Sequence, residues 1–190
     1  LCDRNEIRKE CSIPAVSFLF VFIGRLIYQK GVDVLIEAFK RVGPKAYLLI
    51  AGQGKEREIL EAKVRESGLD TNIIFAGVRN DVPKLLMSSD CFVLPSRYEG
   101  LPLVLTEALA AGTAVIVSDF EAAEEIITNE KNGLIVPLED AEALSQAMVR
   151  VKDNKELRFA LATNAKKSAE HLSISHHVRA ILRFVTPHHS

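Results

Sequence analysis

The chain is 190 residues long, 48% hydrophobic and 26% charged, with a formal net charge of −1. That length suits one ordinary domain and is short for two, and that composition excludes a disordered or collagen-like chain and supports a packed core. A near-neutral chain is no polycation for nucleic acid or a membrane surface, no apolar run approaches the ~18 residues of a spanning helix, and three cysteines (Cys2, Cys11, Cys91) without a CxxC spacing argue against a disulfide framework or zinc ribbon and fit a reducing compartment.

The first residue is Leu1 rather than Met and no signal-peptide pattern follows, so a piece of a longer, cytoplasmic protein is expected. Residues 1–16 open with a charged, helix-like stretch and read as a linker. Residues 17–24 (SFLFVFIG) are a short apolar run closed by glycine, which predicts a buried strand. Residues 33–42 place Val34, Leu35, Ala38, Phe39 and Val42 at helical spacing, and Gly43-Pro44 stops them. A second strand is expected over 46–51, ended by Gly52-Gln53-Gly54, then a charged amphipathic helix over 55–66 and a third strand over 72–75. Residues 81–88 read as a short helix with Asp81 as N-cap and Pro83 in its first turn. A fourth strand over 91–94, a helix over 101–111, a fifth strand over 114–117, a helix over 120–127, a sixth strand over 133–136 and a helix over 140–151 complete the pattern. Strands and helices alternate, and the strands are continuously apolar. That predicts an open α/β sandwich over residues 17–151, about six parallel strands with helices on both faces. Ligands of such sheets bind beyond the carboxyl ends of the strands.

Residues 152–190 are expected to form a helical tail, with helices near 154–170 and 174–185. Residues 150–183 carry eight Lys/Arg against three Asp/Glu, which fits either a solvated surface or a partner-facing one. All five histidines lie in the last twenty residues, so the body of the chain offers none as a catalytic base. His176-His177 and His188-His189 read as solvated tail, and Cys91 as core.

Three constellations fall at the expected ligand edge. Gly24-Arg25-Leu26 with Lys30-Gly31 sets two cations and two glycines between a strand end and a helix start, and a guanidinium fork beside an ammonium suits a diphosphate. Gly52-Gln53-Gly54-Lys55 permits a tight turn with close backbone approach to a ligand. It is not a full dinucleotide fingerprint, because Arg57 takes the third glycine position, nor a P-loop, because Leu49 and Glu56 stand at required positions. The third, residues 95–108 (PSRYEGLPLVLTEA), puts Glu99 before a helix start, the amides of Gly100 and Leu101 at that start, and Glu107 inside the helix, roughly 7 Å along the axis from Pro102 at about 1.5 Å per residue. Carboxylate, anion site, carboxylate is also the order of a sugar nucleotide: sugar hydroxyls, diphosphate, ribose hydroxyls. The apolar run after Glu107 predicts a largely buried helix, in which an unpartnered carboxylate is costly.

The set GRL…KG, AGxG and PSxxEGLPLVxxEALAxG, in that order over about residues 18–149, resembles the carboxyl-terminal, donor-binding domain of retaining glycosyltransferases of family four (group 1), enzymes of two Rossmann-like domains in the GT-B arrangement with an E-x7-E motif. The resemblance implies transfer of a sugar from a nucleoside diphosphate, UDP favoured and GDP next, with retention of configuration. Arg25 and Lys30 would hold the diphosphate and stabilise the leaving phosphate, and Glu99 would bind hydroxyls of the transferred sugar. The amides of Gly100 and Leu101 would contact sugar or phosphate, Glu107 the ribose, and Val78 and Arg79 would lie near the base. Gly24, Gly52 and Gly54 would let the backbone approach the donor. No D-x-D pair occurs, so no metal or other cofactor is expected. The family's acceptor domain precedes this one and is missing here, so the chain is expected to bind donor and to transfer little by itself. Val178, Ile181, Leu182 and Val185 would then be exposed or covered by a second copy. Peripheral association with the inner membrane face follows if the acceptor is a lipid. A non-catalytic nucleotide-sugar-binding module or assembly subunit of the same fold is the alternative, and a related epimerase or phosphorylase is a lesser one. A phospho-receiver domain would need acidic residues where the first strand ends in Gly-Arg.

Overall fold

The computed structural model describes residues 5–100 and 102–172. Six strands form one sheet: β1 (Phe18–Ile23), β2 (Ala46–Ala51), β3 (Ile73–Gly77), β4 (Cys91–Leu94), β5 (Ala114–Ser118) and β6 (Leu134–Val136). Their order is β3-β2-β1-β4-β5-β6, and every neighbouring pair is parallel. β1 runs beside β2 along its whole length, from Phe18 against Ala46 to Ile23 against Ala51, and carries β4 on its other side. This is the Rossmann-like α/β sheet expected from the continuous apolar strands.

The strands do not alternate polar with apolar because both faces are covered. Phe20, Phe22, Leu48, Ile50 and Val93 pack into one layer, against α2 (Val32–Phe39), α3 (Arg57–Glu66) and α7 (Ala141–Asp153). Leu19, Val21, Leu49, Phe92 and Leu94 pack into the other, with α1 (Asn5–Glu10), α4 (Val82–Ser88), α5 (Leu103–Ala111) and α6 (Ala123–Ile126). Each fully buried side chain of this size contributes about 1.5–3 kcal/mol. α8 (Lys155–Leu172) buries Leu161 in the first layer and Ala165 in the second.

At the amino ends of the strands, Arg8 of α1 is buried. Its Nη1 donates to Ser17 O at 2.7 Å and its Nη2 to Asp90 Oδ2 at 2.7 Å, while the Leu19 amide donates to the same Oδ2 at 2.8 Å. This charge-assisted knot ties the opening helix to the sheet. A polar cavity of about 560 Å³ lies at this edge, between Arg8, Lys45 and Arg158, at the opposite end of the strands from the glycine loops.

Several expectations are corrected. Asp81 precedes α4 as its N-cap residue, but its carboxylate does not cap the helix: Arg79 Nε reaches Oδ1 at 2.9 Å and Nη2 reaches Oδ2 at 2.8 Å. α5 begins at Leu103, not 101, with Pro102 at its N-cap. The helix expected over 120–127 shortens to α6, because Phe120 turns into the core and only anchors it, accepting from the Ala123 amide at 2.7 Å. The second tail helix, with Val178, Ile181, Leu182 and Val185, and the paired histidines lie outside the described residues.

Candidate functional site

The chain reaches β4 from β3 by crossing to the far side of β1. The loops after β1 and β4 therefore leave the sheet side by side at the point where strand order reverses, the place where open α/β sheets leave a crevice. Two seams fix these loops. In the first, the β1 loop is laced to the β2 loop: Gly24 N donates to Ala51 O at 3.0 Å, Leu26 N to Gln53 O at 2.9 Å and Glu56 N to Leu26 O at 3.1 Å. Gly52 has φ +151°, and a Cβ there would lie 1.8 Å from Gly24 O. Only glycine fits. A Cβ on Gly54 would meet Leu26 O at 2.1 Å. Both glycines thus have a packing reason of their own. In the second seam Gly31, at φ +63°, brings the β1 loop against the β4 loop, where a Cβ would meet Pro95 O at 2.0 Å.

Between the β1, β2 and β3 loops lies a cleft of about 390 Å³, lined by Ile23, Gly24, Arg25, Ala51, Gly52, Gln53, Val78 and Arg79. That volume is of the size that takes part of a nucleotide. Arg25 is exposed, and its side chain makes no hydrogen bond or ion pair among the described residues. Val78 is 70% exposed at the rim. Arg79, by contrast, is committed: its guanidinium binds the carboxylates of Glu10 and Asp81, and those hydrogen bonds hold its pKa above the ordinary arginine value.

Lys30 and Glu99 meet in the second seam. Lys30 Nζ lies 2.5 Å from Glu99 Oε1, and Ser96 Oγ donates to the same oxygen at 2.6 Å. The pair is largely out of water, with the Lys30 side chain 13% exposed and that of Glu99 6%. Ser118 of β5 holds this loop from beneath, its hydroxyl donating to Ser96 O. Glu99 Oε2 has no partner among the described residues. Gly100 has nothing within 4 Å of where a Cβ would stand, so its backbone faces open space. Leu101 lies outside the described residues.

Glu107 is not buried. α5 buries Leu105, Ala108 and Leu109 on one stripe, while Glu107 and Ala110 lie on the exposed side. The small apolar run that suggested an all-round buried helix follows one stripe only, and the burial argument for Glu107 falls with it. Its carboxylate makes no hydrogen bond among the described residues and remains available to a ligand.

Arg97 is a residue that the sequence pattern passed over. Its Nη1 donates to Tyr28 O at 2.6 Å and to Asp33 Oδ1 at 3.0 Å, its Nη2 to Asp33 Oδ2 at 2.9 Å, and its Nε to Glu139 Oε1 at 2.8 Å. The guanidinium also lies 3.8 Å from the centre of the Tyr28 ring. Burial opposes ionisation of Asp33, but the hydrogen bond and charge of Arg97 outweigh it and hold the Asp33 carboxyl below its ordinary value. Arg97 occupies a variable place between PS and EG, so the motif gave no signal. Only the pairing across 64 residues reveals it.

The family model described as Glycosyl transferases group 1 matches residues 3–168. The chain is similar to an uncharacterized glycosyltransferase of Methanocaldococcus jannaschii, 34% identical over 169 residues that make up 87% of this chain and 43% of that protein. It is also similar to the UDP-Gal:alpha-D-GlcNAc-diphosphoundecaprenol alpha-1,3-galactosyltransferase of Escherichia coli, 35% identical over 149 residues, 75% of this chain and 38% of that one. Among solved structures it is similar to the C-terminal domain of a glycosyl transferase group 1 family protein of Francisella tularensis, with a TM-score of 0.79 and 27% identity, covering 88% of this chain and 91% of that one. The chain spans about two fifths of the length of these curated relatives.

Proposed function

The chain belongs to the group 1 glycosyl transferases, and we propose that its switch-point crevice binds a nucleoside diphosphate sugar, UDP-sugar first, as the donor half of a retaining glycosyltransferase. The observation that carries this is the cluster of Lys30, Glu99 and Ser96 beside a cleft edged by the unpaired Arg25. On this reading an ammonium, a guanidinium and the open amino end of α5 take the diphosphate, and the carboxylate oxygen without a partner takes the sugar. The galactosyltransferase relative, whose name gives UDP-Gal as its donor, supports a uridine nucleotide.

In this reading the base rests against Val78 rather than on the committed Arg79, and Glu107 accepts from the ribose. Arg25 and Lys30 hold the diphosphate, and Glu99 Oε2 and the Gly100 and Leu101 amides take the sugar. The acceptor hydroxyl attacks the anomeric carbon on the face from which the nucleoside diphosphate departs. The sugar–oxygen bond to phosphate breaks as the new glycosidic bond forms, and the departing phosphate takes the hydroxyl proton. The negative charge that develops falls on Arg25, Lys30 and the helix dipole, so the chemistry is metal-independent and needs no protein base. The protein works in the cytoplasm, at the inner membrane face when its acceptor is a lipid. No helix among the described residues is long and apolar enough to cross a membrane.

Calorimetric titration with UDP, GDP and ADP, with and without magnesium, tests this. Binding of one nucleotide unaffected by magnesium, and its loss in Arg25→Ala/Lys30→Ala, are expected. The single Arg25→Ala variant is the cleaner probe, because the Arg25 side chain has no partner among the described residues while Lys30 has Glu99. Failure of every nucleotide to bind would overturn the reading, and binding that needs magnesium would overturn its metal-independent part.

A further inference from the structure

Lys30 and Glu99 sit on loops that leave two different strands, and neither loop is held by a helix cap. Ile27 and Gly31 precede the 3-10 turn (Tyr28–Lys30) and α2 without a side-chain cap bond, and Pro102 gives α5 none either. The relative position of the two loops therefore depends on what crosses between them. Besides the Lys30–Glu99 pair and one bond from Gln29 to Tyr98, the crossing bonds converge on Arg97. The Arg97 amide donates to Gln29 O at 2.8 Å, and Gln29 Nε2 returns a bond to Tyr98 O at 2.9 Å. The Arg97 fork reaches Tyr28 O and both oxygens of Asp33 on the β1 side, and Glu139 after β6 on the other. Its side chain is only 10% exposed, and its face is stacked on Tyr28. Arg97 thus grips the residue two before Lys30 and the residue three after it, while standing two residues from Glu99 itself.

We propose that Arg97 is a positioning residue of the donor site, which holds the Lys30 loop and the Glu99 loop at one register so that ammonium and carboxylate face the second phosphate and the sugar of the donor. This rests on the donor-site reading above. Arg97 touches neither ligand nor cleft in that reading; it acts through Tyr28, Gln29 and Asp33. The demand is for arginine in particular. Two parallel bonds to a carboxylate, a third to a carbonyl, a fourth to another carboxylate and a stacked face fit a planar fork and not a point charge.

The test compares wild type, Arg97→Ala and Arg97→Lys by two readouts. Hydrogen exchange without ligand is expected to rise in both variants at residues 27–31 and 95–100, with β1 and β4 unchanged. Calorimetry with UDP and UMP, run beside GDP with GMP and ADP with AMP, reads the site. A displaced loop costs about tenfold or more in the affinity of the bound diphosphate, and little in that of its monophosphate, which lacks the phosphate assigned to Lys30. Lysine is expected not to rescue. Equal losses for diphosphate and monophosphate would make Arg97 a general structural residue and overturn the proposal, as would wild-type affinity in Arg97→Lys. Either result would leave the donor-site reading standing. Wild-type protein that binds none of the six nucleotides would overturn both. If Arg97→Ala does not fold, Glu139→Gln and Arg97→Lys carry the same comparison, with the loss falling again on the diphosphate.

Discussion

Glu99 takes two donors, Lys30 and Ser96, on its Oε1, while Oε2 has no partner among the described residues. Two donors on one oxygen hold the carboxylate in one orientation, and a preset acceptor does not have to reorganise on binding. The same economy governs the Arg97–Asp33 contact, which has a consequence in acid. Asp33 titrates below its ordinary value when folded, so the stability that this pair contributes is complete above the unfolded pKa of about 4 and is lost as pH falls through the lower folded value. Denaturant unfolding at about pH 6 and about pH 3 is expected to show wild type losing more stability on acidification than Asp33→Asn. Equal losses would mean that the pair contributes nothing. Glu10, Glu37, Asp81 and Glu130 also titrate low and fall together in both proteins, so the difference isolates Asp33.

At the scale of elements, the six strands and most helices were legible because burial on both faces writes itself into sequence as short apolar runs: FLFVFI and AYLLIA admit little else. What pattern could not supply was where polar groups find partners. Asp81 had the right type and place for a cap, but Arg79 two residues earlier took its carboxylate. Glu107 had the right spacing for the motif, yet its burial depended on which stripe of α5 meets the core. Arg97 was invisible because its partners lie far off in sequence, on the β1 loop, on α2 and on the loop after β6. The glycines separate by the same logic. Gly52→Ala drives a Cβ onto the Gly24 carbonyl oxygen, backbone against backbone, at a φ that side chains rarely adopt. A cost of about 3 kcal/mol or more is expected from the strain and the clash together. Gly100→Ala meets nothing, and its stability is expected to stay within about 0.5 kcal/mol of wild type. Denaturant midpoints of the two variants decide the matter: similar losses would mean that the seam between the β1 and β2 loops does not need its glycine.

At the scale of the whole molecule, every group assigned to the donor lies on one edge of one sheet: Arg25 and Lys30 after β1, Val78 after β3, Glu99 and Gly100 after β4, Glu107 on the helix that follows. On the proposed reading that edge supplies a diphosphate site and an oxygen that accepts from the sugar, and none of these groups is assigned to an attacking hydroxyl. The body of the chain has no histidine, and the Methanocaldococcus jannaschii and Escherichia coli relatives are more than twice as long as the matched portion. Binding and transfer should therefore separate. A catalyst gains rate by fixing both reactants, and a chain that fixes only the donor forgoes the advantage of about 7 kcal/mol or more that comes from orienting the second. In an assay of sugar transfer from UDP-sugars to lipid-linked or soluble sugar acceptors, the chain by itself is expected to bind nucleotide and to show little or no turnover. Joining the chain to the acceptor domain proposed for it is expected to restore transfer. Robust turnover by the 190 residues alone would show that this edge carries its own acceptor site.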